Sequence, residues 1–267
     1  MTYNDPDRER FSYRTALEAL RNGVPNKEAV KILGSNQPEA EAVFQGLLDA
    51  DAESMVPPGN TRSTLISGEF GTGKSHMLEH FEHMALSQNY VCSRIAVSKQ
   101  TPFYSLQKVF KAAIDNGVVP GRVGQMVEEL GFVLDPHSNR YVNFSHWADA
   151  SDNGLHRIFP ATLMVHERSN DLELLNQRYW FWSGDSILVS QVKNALKTEG
   201  QLSNFQFKAP KASDLPPQKL RFVLELIKAA GYKGWVVLID EVELIASYGI
   251  LQRARSYAEL SRWMGLT

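Results

Sequence analysis

Gly68-Glu69-Phe70-Gly71-Thr72-Gly73-Lys74-Ser75 fits the pattern GxxxxGKS at every position. Glycines let the backbone curl so that successive N–H groups face one centre, and a helix starting near Lys74 adds its positive N-terminal dipole to that anion nest. In such a loop the lysine neutralises β and γ phosphates as a point charge, and the Ser75 hydroxyl ligates magnesium. Upstream, Thr64 to Ser67 reads as a short strand. Downstream, Met77, Leu78, Phe81, Met84 and Ala85 give Lys74 to Gln88 a helical pattern, and Tyr90 to Val97 reads as a second strand. Strand, glycine loop, helix and strand make a βαβ unit, which implies a parallel sheet with helices on its faces.

A second acidic element lies far along the chain. Trp235-Val236-Val237-Leu238-Ile239 is uniformly apolar and rich in β-formers, and predicts a central strand buried on both faces. Asp240-Glu241 stands at its end, in the form of a Walker B segment. A carboxylate at the C-terminal end of a parallel strand lies where open α/β sheets bind ligands, so Asp240 is expected to hold magnesium opposite Ser75. Glu241 is expected to orient the attacking water and accept its proton. Taken alone, an acidic pair after a strand also serves as a helix N-cap. Glu243 is expected to face solvent.

The expected organisation has four parts. Residues 1–60 form a helical segment and linker, with Ala16, Leu17 and Leu20 and then Val43, Leu47 and Leu48 at helical spacing, a break at Gly23 and Pro25, and Pro57-Pro58-Gly59-Asn60 as punctuation. Residues 61–104 form the first part of a P-loop core, 105–233 a mostly helical insertion, and 234–267 the strand ending at Asp240 with a helix from Ile250 to Met264. The fold class is α/β.

Composition excludes several classes. The chain has 267 residues, 43% of them hydrophobic, enough for a sizeable core, and a formal net charge of −2 gives no global pull toward phosphate backbones or anionic membranes. Cys92, in the apolar stretch Tyr90 to Val97, reads as a small buried hydrophobe in a reduced compartment. The polar N-terminus argues against a secretory signal, and no apolar run approaches a membrane span. A soluble, cytoplasmic protein is expected.

Other patterns carry less. His76-Met77-Leu78-Glu79-His80 spells HxxEH, with His83 a turn later, but a zinc site would compete with phosphate for the first turn of that helix, so interhelical or solvated histidines are expected. No GxGxxG occurs, nor the guanine-selective AsnLysXaaAsp element. The aromatic run from Tyr179 through Trp180-Phe181-Trp182 to Asp185 has rings that could stack bases, yet no basic run flanks it, and a helical core is the expected role. Arg253, Arg255 and Arg262 fit either a solvated helix face or an arginine reaching a neighbouring subunit's phosphate.

With these residues in place, the chain resembles the ATP-binding proteins of bacteriophage-exclusion (BREX) defence systems, the BrxC and BrxD type of AAA+ P-loop protein. The resemblance rests on Ala16 to Asn26, on Gly68 to Ser75 running into His76 and Glu79, and on Val97 to Pro102. It continues in Phe181 to Asp185, Ile239 to Ile245 and Leu251 to Leu260. It implies an ATPase that works with other defence proteins and no membrane, and leaves open DNA binding and homo-oligomer formation. Its implied cofactors are ATP and Mg2+. Carried onto this sequence, Gly68, Glu69, Phe70, Gly71, Thr72, Gly73, Lys74, Ser75 and His76 bind the nucleotide, Ser75 and Asp240 the metal, and Lys74 and Glu241 are catalytic. An AAA+ core normally continues past Walker B to a sensor strand, an arginine finger and a lid, so a chain ending at Thr267 is expected to be a fragment or truncated form. The alternative is a nucleotide-gated interaction module without appreciable turnover.

Overall fold

The computed structural model describes Arg14, Glu18, Val30 and residues 34–53, 63–69, 71–169 and 171–265. Ala16 to Asn26 other than Glu18, the Ser54 to Arg62 linker and Phe70 lie outside the described residues. The chain divides into two compact units, residues 1–88 with 260–267 and residues 89–259.

In the first unit, helix α1 (Pro38–Glu53) and helix α2 (Lys74–Ser87) pack through one aromatic stack. The Phe44 and Phe81 rings lie 4.1 Å apart and 7° from parallel. Leu48, Met77 and Ala85 are buried, so α1 turns Phe44 and Leu48 inward, while the expected Val43 faces out. Spacings of three and four leave two stripes open on one helix, and the larger ring takes the interior. Gln45 and Gln88 exchange amide hydrogen bonds of 3.1 and 2.7 Å.

The strand expected at Thr64 to Ser67 does not form. That segment joins no ladder among the described residues, and Leu65 is 66% exposed. β-formers alone do not make a strand, because extended backbone gains its hydrogen bonds only from a neighbour.

The second unit is α/β with a small mixed sheet. Strands β1 (Val91–Ala96), β2 (Gly117–Val118) and β3 (Trp235–Asp240) run in the order β2-β1-β3. β1 and β3 are parallel over six residue pairs, from Val91 beside Trp235 to Ala96 beside Asp240, and β2 is antiparallel to β1. The expected central strand at Trp235 is therefore an edge strand among the described residues, with only Leu238 buried, and the expected parallel sheet is a small mixed one, parallel between β1 and β3 and antiparallel between β1 and β2. β1 is the strand paired on both sides. Apolarity of Trp235 to Ile239 says nothing about paired edges. Cys92 is fully buried in β1.

Between β1 and β3 the chain is mostly helical: α3 (Leu106–Asp115), α4 (Met126–Val133), α5 (Asn139–Asp149), α6 (Ile158–Arg168), α7 (Leu172–Trp182), α8 (Val189–Thr198) and α9 (Leu215–Ala229). Their core is aromatic. α9 buries Phe222, Val223, Leu226 and Ile227 on one stripe, and the Phe222 ring lies 5.1 to 5.3 Å from those of Phe159, Phe144 and Trp182. Phe181 and Trp182 are fully buried and Tyr179 nearly so, while Trp180 is 51% exposed. The Trp182 indole N–H donates to Thr162 Oγ1 at 2.9 Å, which satisfies its one polar atom inside the core. The aromatic run thus forms a helical core, as the absence of a flanking basic run suggested.

The same core holds buried charge. Arg178 places its guanidinium 4.1 Å from the centre of the Tyr179 ring, and Lys219 lies 4.5 Å over Phe181 while donating to the Asp185 carbonyl at 2.6 Å. Beside Arg178, His166 meets the edges of the Tyr179 and Trp182 rings, and its Nδ1 has no hydrogen-bond partner among the described residues. Burial, reinforced by the Arg178 charge, pushes His166 down to about 3. Below about pH 6.5 the unfolded chain takes up a proton here that the folded chain refuses, so stability falls as pH drops from 6.5 toward 3, by up to about 1.4 kcal/mol per pH unit. Urea midpoints measured from pH 7 to 4 should fall less steeply for His166→Gln than for the unsubstituted chain.

Candidate functional site

The glycine loop lies in the first unit. Gly71 and Gly73 have φ of 81° and 90°, in the left-handed region open to glycine at no steric cost, and Gly73 caps α2. Between them, Thr72 turns back, its Oγ1 donating to the Glu69 carbonyl at 2.8 Å. A Cβ on Gly68 would lie 2.7 Å from that hydroxyl, so the close return of Thr72 requires glycine there. The Lys74 ammonium folds over the loop and donates to the carbonyls of Gly68 at 2.8 Å and Glu69 at 2.9 Å. Met77 N–H donates to the Gly73 carbonyl at 2.9 Å and starts the helical ladder, so the N-terminal turn of α2 opens directly from the loop. Backbone donors, a helix N-terminus and one cation are thereby gathered in a single turn, an arrangement suited to a phosphate. Ser75 begins the second position of that helix.

The histidines of α2 serve its packing. His76 Nε2 lies 2.9 Å from the Gly34 carbonyl, and His80 Nε2 lies 3.1 Å from Glu41 of α1. His83 stands 3.8 Å from Glu79 on the same helix. His76, expected beside the nucleotide, thus has its ring against Gly34.

The acidic strand tip lies in the second unit. Asp240 ends β3, and both of its carboxylate oxygens are engaged: Oδ2 accepts from Arg94 Nη2 at 3.0 Å and Oδ1 from the Glu241 N–H at 3.0 Å. The backbone is held as well, since Val97 N–H donates to the Asp240 carbonyl at 3.0 Å. Glu241 is exposed and has φ 58° and ψ 29°, a left-handed conformation in a residue that bears a Cβ. It caps a 3-10 helix, Val242–Ser247, which the buried Ile245 anchors. Tyr248 closes the turn, its hydroxyl donating to the Ser98 carbonyl at 3.2 Å and its ring edge meeting Tyr104. Glu243 faces solvent, as expected. Helix α10 (Ile250–Trp263) follows, with Arg255 and Arg262 exposed.

Arg94 escaped the sequence reading. Its signal was present, because a charged residue inside an otherwise buried strand needs an opposite charge within reach. In parallel register Arg94 lies beside Leu238, two residues before Asp240, so both charged side chains leave the same face of the sheet.

The second unit has an α/β fold whose acidic strand tip is tied to a basic neighbour, and the first carries a glycine loop that opens a helix. The chain belongs to the family described as BREX system ATP-binding protein BrxC/D, whose model matches residues 10–121 and 181–266. Membership makes it an ATP-binding component of the BREX anti-phage system. The matched segments contain the glycine loop, β1 with Arg94, β3 with Asp240, and α10. No curated protein and no solved structure matches the chain. No helix among the described residues is long and apolar enough to cross a membrane.

The left-handed backbone at Glu241 yields a stability prediction. A non-glycine residue there costs about 1–2 kcal/mol, offset in part by the extra freedom glycine would bring to the unfolded chain. Glu241→Gly should therefore raise unfolding stability by about 0.5–1 kcal/mol in urea titration, although it deletes the carboxylate.

Proposed function

We propose that the chain binds ATP with Mg2+ and hydrolyses it, driving a conformational or oligomeric change in a cytoplasmic defence complex. In this reading Gly68 to Ser75 surround the phosphates with backbone N–H groups, His76 borders them, and Lys74 neutralises their charge. Ser75 and Asp240 supply oxygen donors for magnesium, and a hydroxyl with a carboxylate is a donor set that suits this hard cation. Glu241 orients water and accepts its proton. The observation that carries the reading is the turn at Gly71 and Gly73, which sets the N-terminus of α2 and the Lys74 ammonium at one loop.

Partners follow from the family. Other proteins of the defence system receive the change, and DNA binding and self-association are separate arms of the test. A nucleotide-gated interaction module without turnover is favoured by one observation, the engagement of both Asp240 oxygens by Arg94 and the Glu241 N–H.

Lys74→Ala should abolish ATP binding in equilibrium titration, and Glu241→Gln should keep binding and lose hydrolysis by about 100-fold or more. Turnover per chain, followed against protein concentration with and without DNA, should rise steeply if subunits share sites. Undiminished hydrolysis in Glu241→Gln would reject Glu241 as the water-orienting residue, and background turnover at every concentration would favour the interaction module.

A further inference from the structure

We infer that Arg94 is a positioning residue that holds the Asp240 carboxylate and competes with the divalent cation for it, so that Arg94 sets the magnesium requirement of nucleotide binding. This rests on the reading of Asp240 as a magnesium ligand.

Asp240 Oδ2 accepts from Arg94 Nη2 at 3.0 Å. Magnesium binds a carboxylate oxygen at about 2.0–2.1 Å, so an ion on Oδ2 would stand close to a permanent positive charge. Coulomb repulsion across so short a distance outweighs the benefit of sharing one oxygen, and the guanidinium must swing aside or the metal binds less well. Oδ1 offers no easy detour, because it accepts the Glu241 N–H, which fixes the carboxylate plane. A detour through Oδ1 would also disturb the left-handed turn that places Glu241.

Arg94 is suited to this role by its anchorage. It sits in the middle of β1, the strand paired on both sides, so its Cα cannot withdraw from β3. Only its long side chain can move. The pair is neither sealed nor free: the Arg94 side chain is 29% exposed and that of Asp240 16%, so water and ions reach it while its charges are only partly screened. Held this way, the Asp240 carboxylate keeps one orientation for as long as Arg94 stays on Oδ2.

The test uses the full chain and a fluorescent N-methylanthraniloyl derivative of ATP, whose binding is titrated with Mg2+ and, separately, in EDTA. Arg94→Ala should lower the half-saturating Mg2+ concentration about fivefold, which corresponds to about 1 kcal/mol. Its affinity for the analogue in EDTA should not change. Arg94→Lys keeps the charge but loses the planar fork, and should fall between the two. In an Asp240→Asn background, Arg94→Ala should have no effect on the Mg2+ response. A half-saturating concentration that stays the same or rises in Arg94→Lys and Arg94→Ala overturns the inference. So does an equal loss of affinity with and without Mg2+, which marks a scaffold residue, or an Arg94 effect that persists without the Asp240 charge. If Arg94→Ala does not fold, Arg94→Lys decides alone, by the same sign. Analogue binding by the unsubstituted chain that responds neither to Mg2+ nor to Lys74→Ala overturns the proposed function and this inference together, whereas a normal response with unmoved Arg94 variants overturns this inference only.

Discussion

The parallel pairing of Val91–Ala96 with Trp235–Asp240 is the constraint on which the second unit depends. These strands are far apart in sequence, and everything helical between them has to return the chain to the same edge. Six residue pairs in register fix which side chains meet, because a slip of one position would send every side chain to the opposite face. Trp235 shows how the register is held. Its indole N–H donates to Ser93 Oγ at 2.8 Å across the pair, while its ring edge meets Phe110 of α3, so one residue ties ladder, neighbouring strand and helical core together. At the other end of the same ladder the register delivers Arg94 to Asp240.

How much of this could be read from the residues depends on whether the cause was local. The glycine loop and α2 were legible because every cause is local: left-handed φ at two glycines, then a helical repeat, and the helix begins and ends within a residue of its expected limits. Strands β1 and β3 were placed within a residue for the same reason, as runs of β-formers bounded by turns. Strand neighbours were not legible. Thr64 to Ser67 has the composition of a strand and no ladder among the described residues, whereas Gly117–Val118 pairs with Cys92 and Ser93 despite being too short to show a pattern. Arg94 was legible in principle, as a charge within an apolar strand, but its partner depended on a register that sequence spacing does not supply.

Glu241 shows how a strained backbone is held in place. A residue with a Cβ is held at φ 58° where glycine or asparagine would be less strained, with an exposed side chain that no packing requires. The turn is over-determined from both sides. The Asp240 carboxylate takes the Glu241 N–H before it, and Ile245 and Tyr248 fix the 3-10 turn behind it. These contacts offset the cost of a left-handed backbone at a residue that bears a Cβ.

The family match leaves out residues 122–180, and their packing shows what that stretch is to the rest. If they were an appended domain, they would bury their own core. Instead Phe144 and Phe159, both within the stretch, meet Phe222, and Phe159 also meets Phe181, with both of these partners inside the matched segment. The indole of Trp182 donates to Thr162 across the same boundary. Two of the rings around Phe222 therefore come from outside the match, and truncating either would open a cavity in the helices that lead to β3. The unmatched helices and the matched ones share a single hydrophobic core, so the stretch cannot be removed without exposing the side of α9 that returns the chain to the sheet.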